Sequence, residues 1–144
     1  MGDGRPLILF KCATCGLPVT GPVRLLDEVP DLPSEDGVDL LPVGCCWRDD
    51  RPGKSCGRFL LNLRDMVNTR YHDDGRRTSG CCGPSGIDGV NRVCANGHEV
   101  ATESSDGWTG PHHVELEPYT YIIVELAGSA PDAEPGAAAD PAGT

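Results

Sequence analysis

The chain has 144 residues, of which 38% are hydrophobic and only 5% aromatic, so it can bury only a modest apolar core. Its 19 glycines and 13 prolines favour short elements joined by many turns, which excludes a protein built on long helices. The formal net charge of −10 opposes binding to phosphate backbones and to anionic lipids, which carry the same sign.

Runs of apolar residues separated by turn residues predict a mostly β protein. In chain order, we expect strands at residues 6–10, 17–26, 38–47, 58–63, 90–94, 98–102, 113–116 and 119–126. The second of these contains two prolines and is therefore at best an interrupted or edge strand. The last contains the continuous apolar run Tyr121 to Val124, which predicts a strand that is central or buried on both faces.

The segments between the predicted strands have compositions that predict loops and turns. Residues 27–39 form an acidic loop with six Asp or Glu and no Lys or Arg. One helical turn is expected at 64–68, and irregular backbone at the glycine-rich residues 80–89. Asn96-Gly97 predicts a tight hairpin turn of type I′, in which both central residues have positive φ.

These elements predict a single domain over residues 1–126. Residues 127–144 consist of Ala, Gly, Pro, Ser, Thr and three acids, and we expect this tail to be disordered. The first residues have no signal-peptide pattern, and no apolar run approaches the length of a membrane span. We therefore expect a cytoplasmic protein, in which thiols stay reduced and cysteines are metal ligands before they are disulfides. In an exported protein the eight cysteines would pair instead.

The strongest local motif is Cys12-Ala-Thr-Cys15-Gly16. Two thiolates at this spacing bind one tetrahedral zinc ion when the chain makes a tight turn, and a glycine after the second cysteine relieves the crowding. The alternatives are two cysteines without a ligand role and a redox dithiol, and redox chemistry needs a helix starting at the first cysteine. Gly16 and Pro18 are incompatible with such a helix.

The other ligands must come from farther along the chain. Cys94 ends a predicted strand at a hairpin turn, where a second pair of ligands is typically held, and Cys82 is followed by glycine as Cys15 is. The predicted zinc ligands are therefore Cys12, Cys15, Cys82 and Cys94. Cys81 is the alternative to Cys82, and His98, across the hairpin from Cys94, is the reserve fourth ligand.

The cysteines outside the predicted zinc site are expected to have structural roles. Cys45 and Cys46 lie in an apolar stretch, which favours buried free thiols. A second metal site using one of them with Cys56 would need two more ligands.

His113, Glu115 and Glu117 share one face of a predicted strand, which favours an exposed polar face over a metal or acid–base cluster.

Basic residues are unevenly distributed along the chain. Eight of the twelve Lys and Arg lie between Arg48 and Arg77, beside five acids. This window favours a solvated mixed-charge surface, with a nucleic-acid patch as the alternative.

One long segment resembles a family of small bacterial cysteine-rich proteins. It reads Cys81-Cys-Gly-Pro-Ser-Gly-Ile-Asp-Gly-Val-Asn-Arg-Val-Cys94, followed by Ala-Asn-Gly-His-Glu-Val-Ala-Thr-Glu103. The resemblance covers residues 10–15 and 62–116, although the cysteine of the family's Ser-Asp-Cys-Trp sequence is Gly107 here. It implies a shared metal-stabilised, zinc-ribbon-like fold and no particular activity.

Together these observations predict a small zinc-ribbon-like antiparallel sheet with long loops and one bound Zn²⁺. The first functional hypothesis is a non-catalytic adaptor module that binds a protein partner, since no catalytic motif is evident and acidic loops are free to meet a basic partner. A zinc enzyme with an open coordination position and a nucleic-acid accessory protein are the alternatives.

Overall fold

The computed structural model describes residues 6–28, 30–53, 56–80, 83–106 and 110–126. These residues form nine strands: β1 (Leu7–Cys12), β2 (Val23–Leu26), β3 (Cys45–Asp49), β4 (Arg58–Leu61), β5 (Thr69–Tyr71), β6 (Arg92–Cys94), β7 (Glu99–Ser104), β8 (His113–Leu116) and β9 (Tyr121–Glu125). Short 3₁₀ turns occur at Leu63–Asp65 and Gly75–Thr78. The prediction of a mostly β protein is confirmed, and residues 127–144, for which we predicted disorder, lie outside the described ranges.

All nine strands belong to one sheet, in the order β5-β6-β7-β8-β4-β3-β2-β1-β9. Neighbouring strands are antiparallel with one exception, the parallel pair β2 and β3. A parallel pair needs a long connection to return the chain to the same end of the sheet, and the acidic loop supplies it. No helix in the described ranges is long and apolar enough to cross a membrane.

The main core lies on the inner face of this sheet. Strand β1 alternates strictly, so that Ile8, Phe10 and Cys12 are buried while the intervening residues are less so. The rings of Phe10, Phe59 and Tyr121 meet edge to face, with centroids 5.2 to 5.9 Å apart. A smaller cluster on the opposite face contains Leu41, Trp47 and Leu60.

The predicted strand at residues 38–47 is wrong over most of its length, since β3 begins only at Cys45. Val38 and Val43 are 40% and 50% exposed. Asp39 forms only an isolated bridge with His112. Pro42 has no N–H to give to a ladder and Gly44 has φ of 90°, so the continuous pairing of β3 begins at Cys45. The strand predicted at residues 17–26 is interrupted, since β2 covers only Val23–Leu26, and β2 lies between β1 and β3 rather than at an edge.

The two edges of the sheet also differ from expectation. Strand β9 was predicted to be central but lies at one edge, with Ile122 and Ile123 50% and 44% exposed. Its continuous apolar run therefore does not reflect burial on both faces. Strand β5, at the opposite edge, was not predicted at all.

A buried carboxylate joins β5, β6 and β7. Glu103 on β7 is 2% exposed, and its Oε1 accepts a hydrogen bond from Arg92 on β6 at 2.8 Å. Its Oε2 accepts from the hydroxyl of Tyr71 on β5 at 3.0 Å, and Arg92 also lies over the Tyr71 ring. Because the charge is both paired and hydrogen-bonded, it can be buried, and it fixes the short edge strand that has little apolar contact of its own.

The hydrogen-bond pattern between β9 and β1 predicts where this edge strand tolerates a proline. The N–H of Leu126 donates to Leu7 O, and that of Ala13 donates to Thr120 O, so the even-numbered residues between them pair with β1. Ile122→Pro should remove an inner hydrogen bond and lower the free energy of unfolding by about 3 kcal/mol. Ile123→Pro, whose N–H points outward, should cost about 1 kcal/mol or less.

Urea unfolding followed by circular dichroism measures both variants. Equal destabilisation by the two prolines would contradict the assigned register of β9 against β1.

Candidate metal centre

The Cys-x-x-Cys motif forms a tight turn at the end of β1. The N–H of Gly16 donates to Cys12 O, and the N–H of Cys12 donates to Leu17 O, both at 2.8 Å. Gly16 has φ of 78°, a left-handed conformation that a side chain would disfavour. The turn therefore places both cysteine sulfurs on the same side of the chain.

The hairpin between β6 and β7 forms a second turn of similar design. The N–H of Gly97 donates to Cys94 O at 2.7 Å, and that of Cys94 donates to His98 O at 2.8 Å. Gly97 has φ of 93°, but Asn96 does not have positive φ, so the predicted type I′ turn is wrong. The loop holds one residue more than that turn, and only its last residue takes the left-handed conformation.

Asn68 connects the two turns. Its carbonyl accepts a hydrogen bond from the N–H of Ala95 in the second turn at 2.8 Å, while its side-chain Nδ2 donates to Pro18 O, just after the first turn, at 2.9 Å. Asn68 has φ of 53°, which asparagine tolerates better than most residues. The sequence analysis missed this residue, and only its preference for left-handed backbone could have indicated it.

The two turns bring four metal-binding side chains together: Cys12, Cys15, Cys94 and His98. Their ligand atoms all lie within 4.8 Å of one another. Cys15 Sγ is 3.8 Å from Cys94 Sγ, and His98 Nδ1 is 3.7 Å from Cys12 Sγ and 3.3 Å from Cys94 Sγ. Tetrahedral bonds of about 2.3 Å to sulfur and 2.0 Å to nitrogen give ligand separations of roughly 3.5 to 3.8 Å, so the geometry can hold one metal ion.

The two cysteines of the first turn have different environments. Burial raises the pKa of the Cys12 thiol, against the opposing effect of the N–H groups of Cys15 and Thr14. The pKa of Cys15 is lowered to about 6, first by a hydrogen bond from the side chain of Asn96 and then by the N–H of Leu17. Asn96 Nδ2 lies 3.3 Å from Cys15 Sγ, so the second turn stabilises a thiolate on the first.

The predicted ligands can now be located. Cys12, Cys15 and Cys94 lie together, and the fourth member of the cluster is His98, which was the reserve ligand. Cys82 and its alternative Cys81 lie outside the described residues. Cys12 and Cys94 are buried, Cys15 is exposed and His98 is half-buried, so the cluster lies at the surface of the domain.

The other candidates lie outside this cluster. Cys46 is buried as a free thiol, and burial raises its pKa to about 12. Cys45 is half-buried and Cys56 is exposed. Within the described residues, no second group of three or more metal-binding side chains has its ligand atoms close together.

The polar face of β8 is more enclosed than predicted. His113 and Glu115 are half-buried, so the prediction of an exposed polar face is wrong. Burial lowers the pKa of His113, which favours its neutral form. Within the described part of the chain, His112 Nε2 and Glu115 Oε2 are buried without a hydrogen-bond partner.

Comparisons with protein-family models, with curated proteins and with solved structures give no match to this chain. The resemblance to small bacterial cysteine-rich proteins stays an expectation from the residues.

The contact between Asn96 and Cys15 gives a prediction about metal release. Asn96→Ala removes the main effect that lowers the pKa of Cys15, so protons should displace a bound metal at a pH higher by roughly half a unit to one unit. A colorimetric chelator measures metal release as the pH is lowered. Thr14→Ala, at the tip of the first turn, is the control and should leave the midpoint unchanged; an unshifted midpoint in Asn96→Ala would contradict the assigned contact.

Proposed function

We propose that this chain is a zinc-stabilised, non-catalytic binding module whose partner is a protein. Cys12, Cys15, Cys94 and His98 hold one Zn²⁺ in a site of the zinc-ribbon type, and the ion fixes the two turns that carry these ligands. The reduced thiols that this site needs agree with a cytoplasmic protein.

The single observation that carries the proposal is the approach of three sulfurs and one imidazole nitrogen to within 4.8 Å of one another. Soft thiolates with one histidine favour zinc over magnesium or calcium, which prefer oxygen ligands. Four protein ligands complete a tetrahedral shell, and a closed shell is typical of structural sites, whereas a catalytic site keeps a position for water. The alternative of a zinc enzyme is therefore less well supported.

The arginines of the 48–77 window argue against the nucleic-acid alternative. Each arginine described there forms an ion pair with a carboxylate: Arg48 with Asp50, Arg51 with Asp49, Arg58 with Glu117, Arg64 with Asp39, Arg70 with Asp73, Arg76 with Asp74, and Arg77 with Asp74 and Glu99. A cation already neutralised by a carboxylate has little to offer a phosphate. The surplus of negative charge instead favours a basic protein partner.

Replacement of one exposed cysteine tests the zinc site without disturbing the core. Cys15→Ser should lower zinc affinity by at least about 100-fold, because it removes a thiolate ligand. A chelator should abolish the β circular-dichroism signal of the wild-type protein, since a structural zinc contributes on the order of 10 kcal/mol to folding.

Cys56→Ser is the matched control, since Cys56 is also exposed and its thiol lies outside the cysteine–histidine cluster, with a hydrogen bond to Asp50 O in the described part of the chain. It should leave zinc affinity and the melting temperature unchanged. A Cys15→Ser protein that binds zinc as tightly as Cys56→Ser does would contradict the proposed ligand set, and a wild-type protein that keeps its β signal without metal would contradict the structural role.

A further inference from the structure

A groove lies at the ends of β2 and β3. In the sheet these two strands follow β1 on the side away from β9. Its volume is about 540 Å³. Apolar side chains provide part of its lining: Pro6, Leu25, Leu26, Trp47 and Phe59. The remaining lining residues are all charged: Asp27, Glu28, Arg48, Asp50 and Arg51.

The positive charges of the groove are already neutralised within the chain. Arg51 donates two hydrogen bonds to the buried carboxylate of Asp49, at 3.0 and 3.1 Å, and lies over the Trp47 ring at 5.1 Å. Arg48 lies 3.2 Å from Asp50. Each guanidinium group already lies against a carboxylate, so the groove has little attraction for an anion.

The negative charges at the rim are not neutralised in the same way. In the described ranges, Asp27 and Glu28 are exposed and neither forms an ion pair. The same holds for three further carboxylates of the loop that follows: Asp31, Glu35 and Asp36. The groove therefore combines apolar walls with unpaired carboxylates at its mouth.

We infer that this groove binds an exposed lysine or arginine side chain of the partner protein. A long basic side chain matches both features, because its aliphatic stem packs on apolar surface while its cationic end stays at the polar rim. The apolar lining of the groove contacts the stem, and the carboxylates of Asp27 and Glu28 bind the cation. This inference rests on the proposed binding function and specifies the chemistry of its partner.

A short synthetic peptide in which lysine and leucine alternate is a suitable probe, with a matched peptide that carries glutamine in place of each lysine. Calorimetry at physiological ionic strength compares wild-type protein with two double variants of equal charge, Asp27→Asn/Glu28→Gln and Glu35→Gln/Asp36→Asn. The first variant should weaken binding about tenfold, because it removes two carboxylates at the groove, and the second should change it by about twofold or less. Methyl chemical shifts of Leu25 and Leu26 should change when the lysine peptide binds.

Several results would overturn the inference. Equal weakening by both double variants would mean that only the overall field of the loop attracts the peptide. Equally tight binding of the glutamine peptide would exclude recognition of a cation, and no binding to wild-type protein would exclude the groove. Zinc content is measured in every sample, so loss of the docking site with full zinc is distinguished from failure of the metal site itself.

Discussion

The approach of the two ligand-bearing turns is the contact on which the rest of the structure depends. One turn follows β1, and the other joins β6 to β7. In the sheet, β1 and β6 are separated by β7, β8, β4, β3 and β2, so the cluster joins residues from opposite ends of the strand order. A metal ion held there would clip the two ends of an open sheet to each other.

Hydrogen bonds within the protein also hold the two ligand-bearing turns close to each other. The segment that leads into β5 meets the chain that follows the first turn, since the N–H of Val67 donates to Val19 O at 2.9 Å and Thr20 pairs with Met66. Asn68 adds the hydrogen bonds that reach both turns. A domain with a small apolar core has few other means of fixing the relative positions of distant strands, which is why four ligands matter more here than in a larger protein.

Local chemistry made part of this structure predictable. Cys-x-x-Cys-Gly and Asn-Gly each specify a tight turn within a few residues, so Cys12, Cys15 and Cys94 could be placed on turns from the sequence alone. His98 was the reserve ligand because a hairpin places it across from Cys94. The choice of Cys82 rested on the glycine after it and on the glycine-rich loop that leads to Cys94, and it stays a prediction because Cys82 lies outside the described residues.

What the sequence did not reveal depends on distant contacts. Strand β5 has three residues, and its place comes from the contacts of Tyr71 with Glu103 and Arg92, which are far apart in sequence. Strand β9 looks central by composition but lies at an edge, because its pairing partner is β1, far away in the sequence, and composition does not reveal strand order. The groove arises in the same way, where the ends of β2 and β3 meet Pro6 and Phe59.

X-ray absorption spectroscopy at the zinc edge of the purified full-length protein tests the central claim most directly. Our account predicts one zinc ion per chain with three sulfur neighbours at about 2.3 Å and one nitrogen neighbour at about 2.0 Å. A spectrum dominated by oxygen neighbours, or a folded protein that contains no zinc, would contradict it.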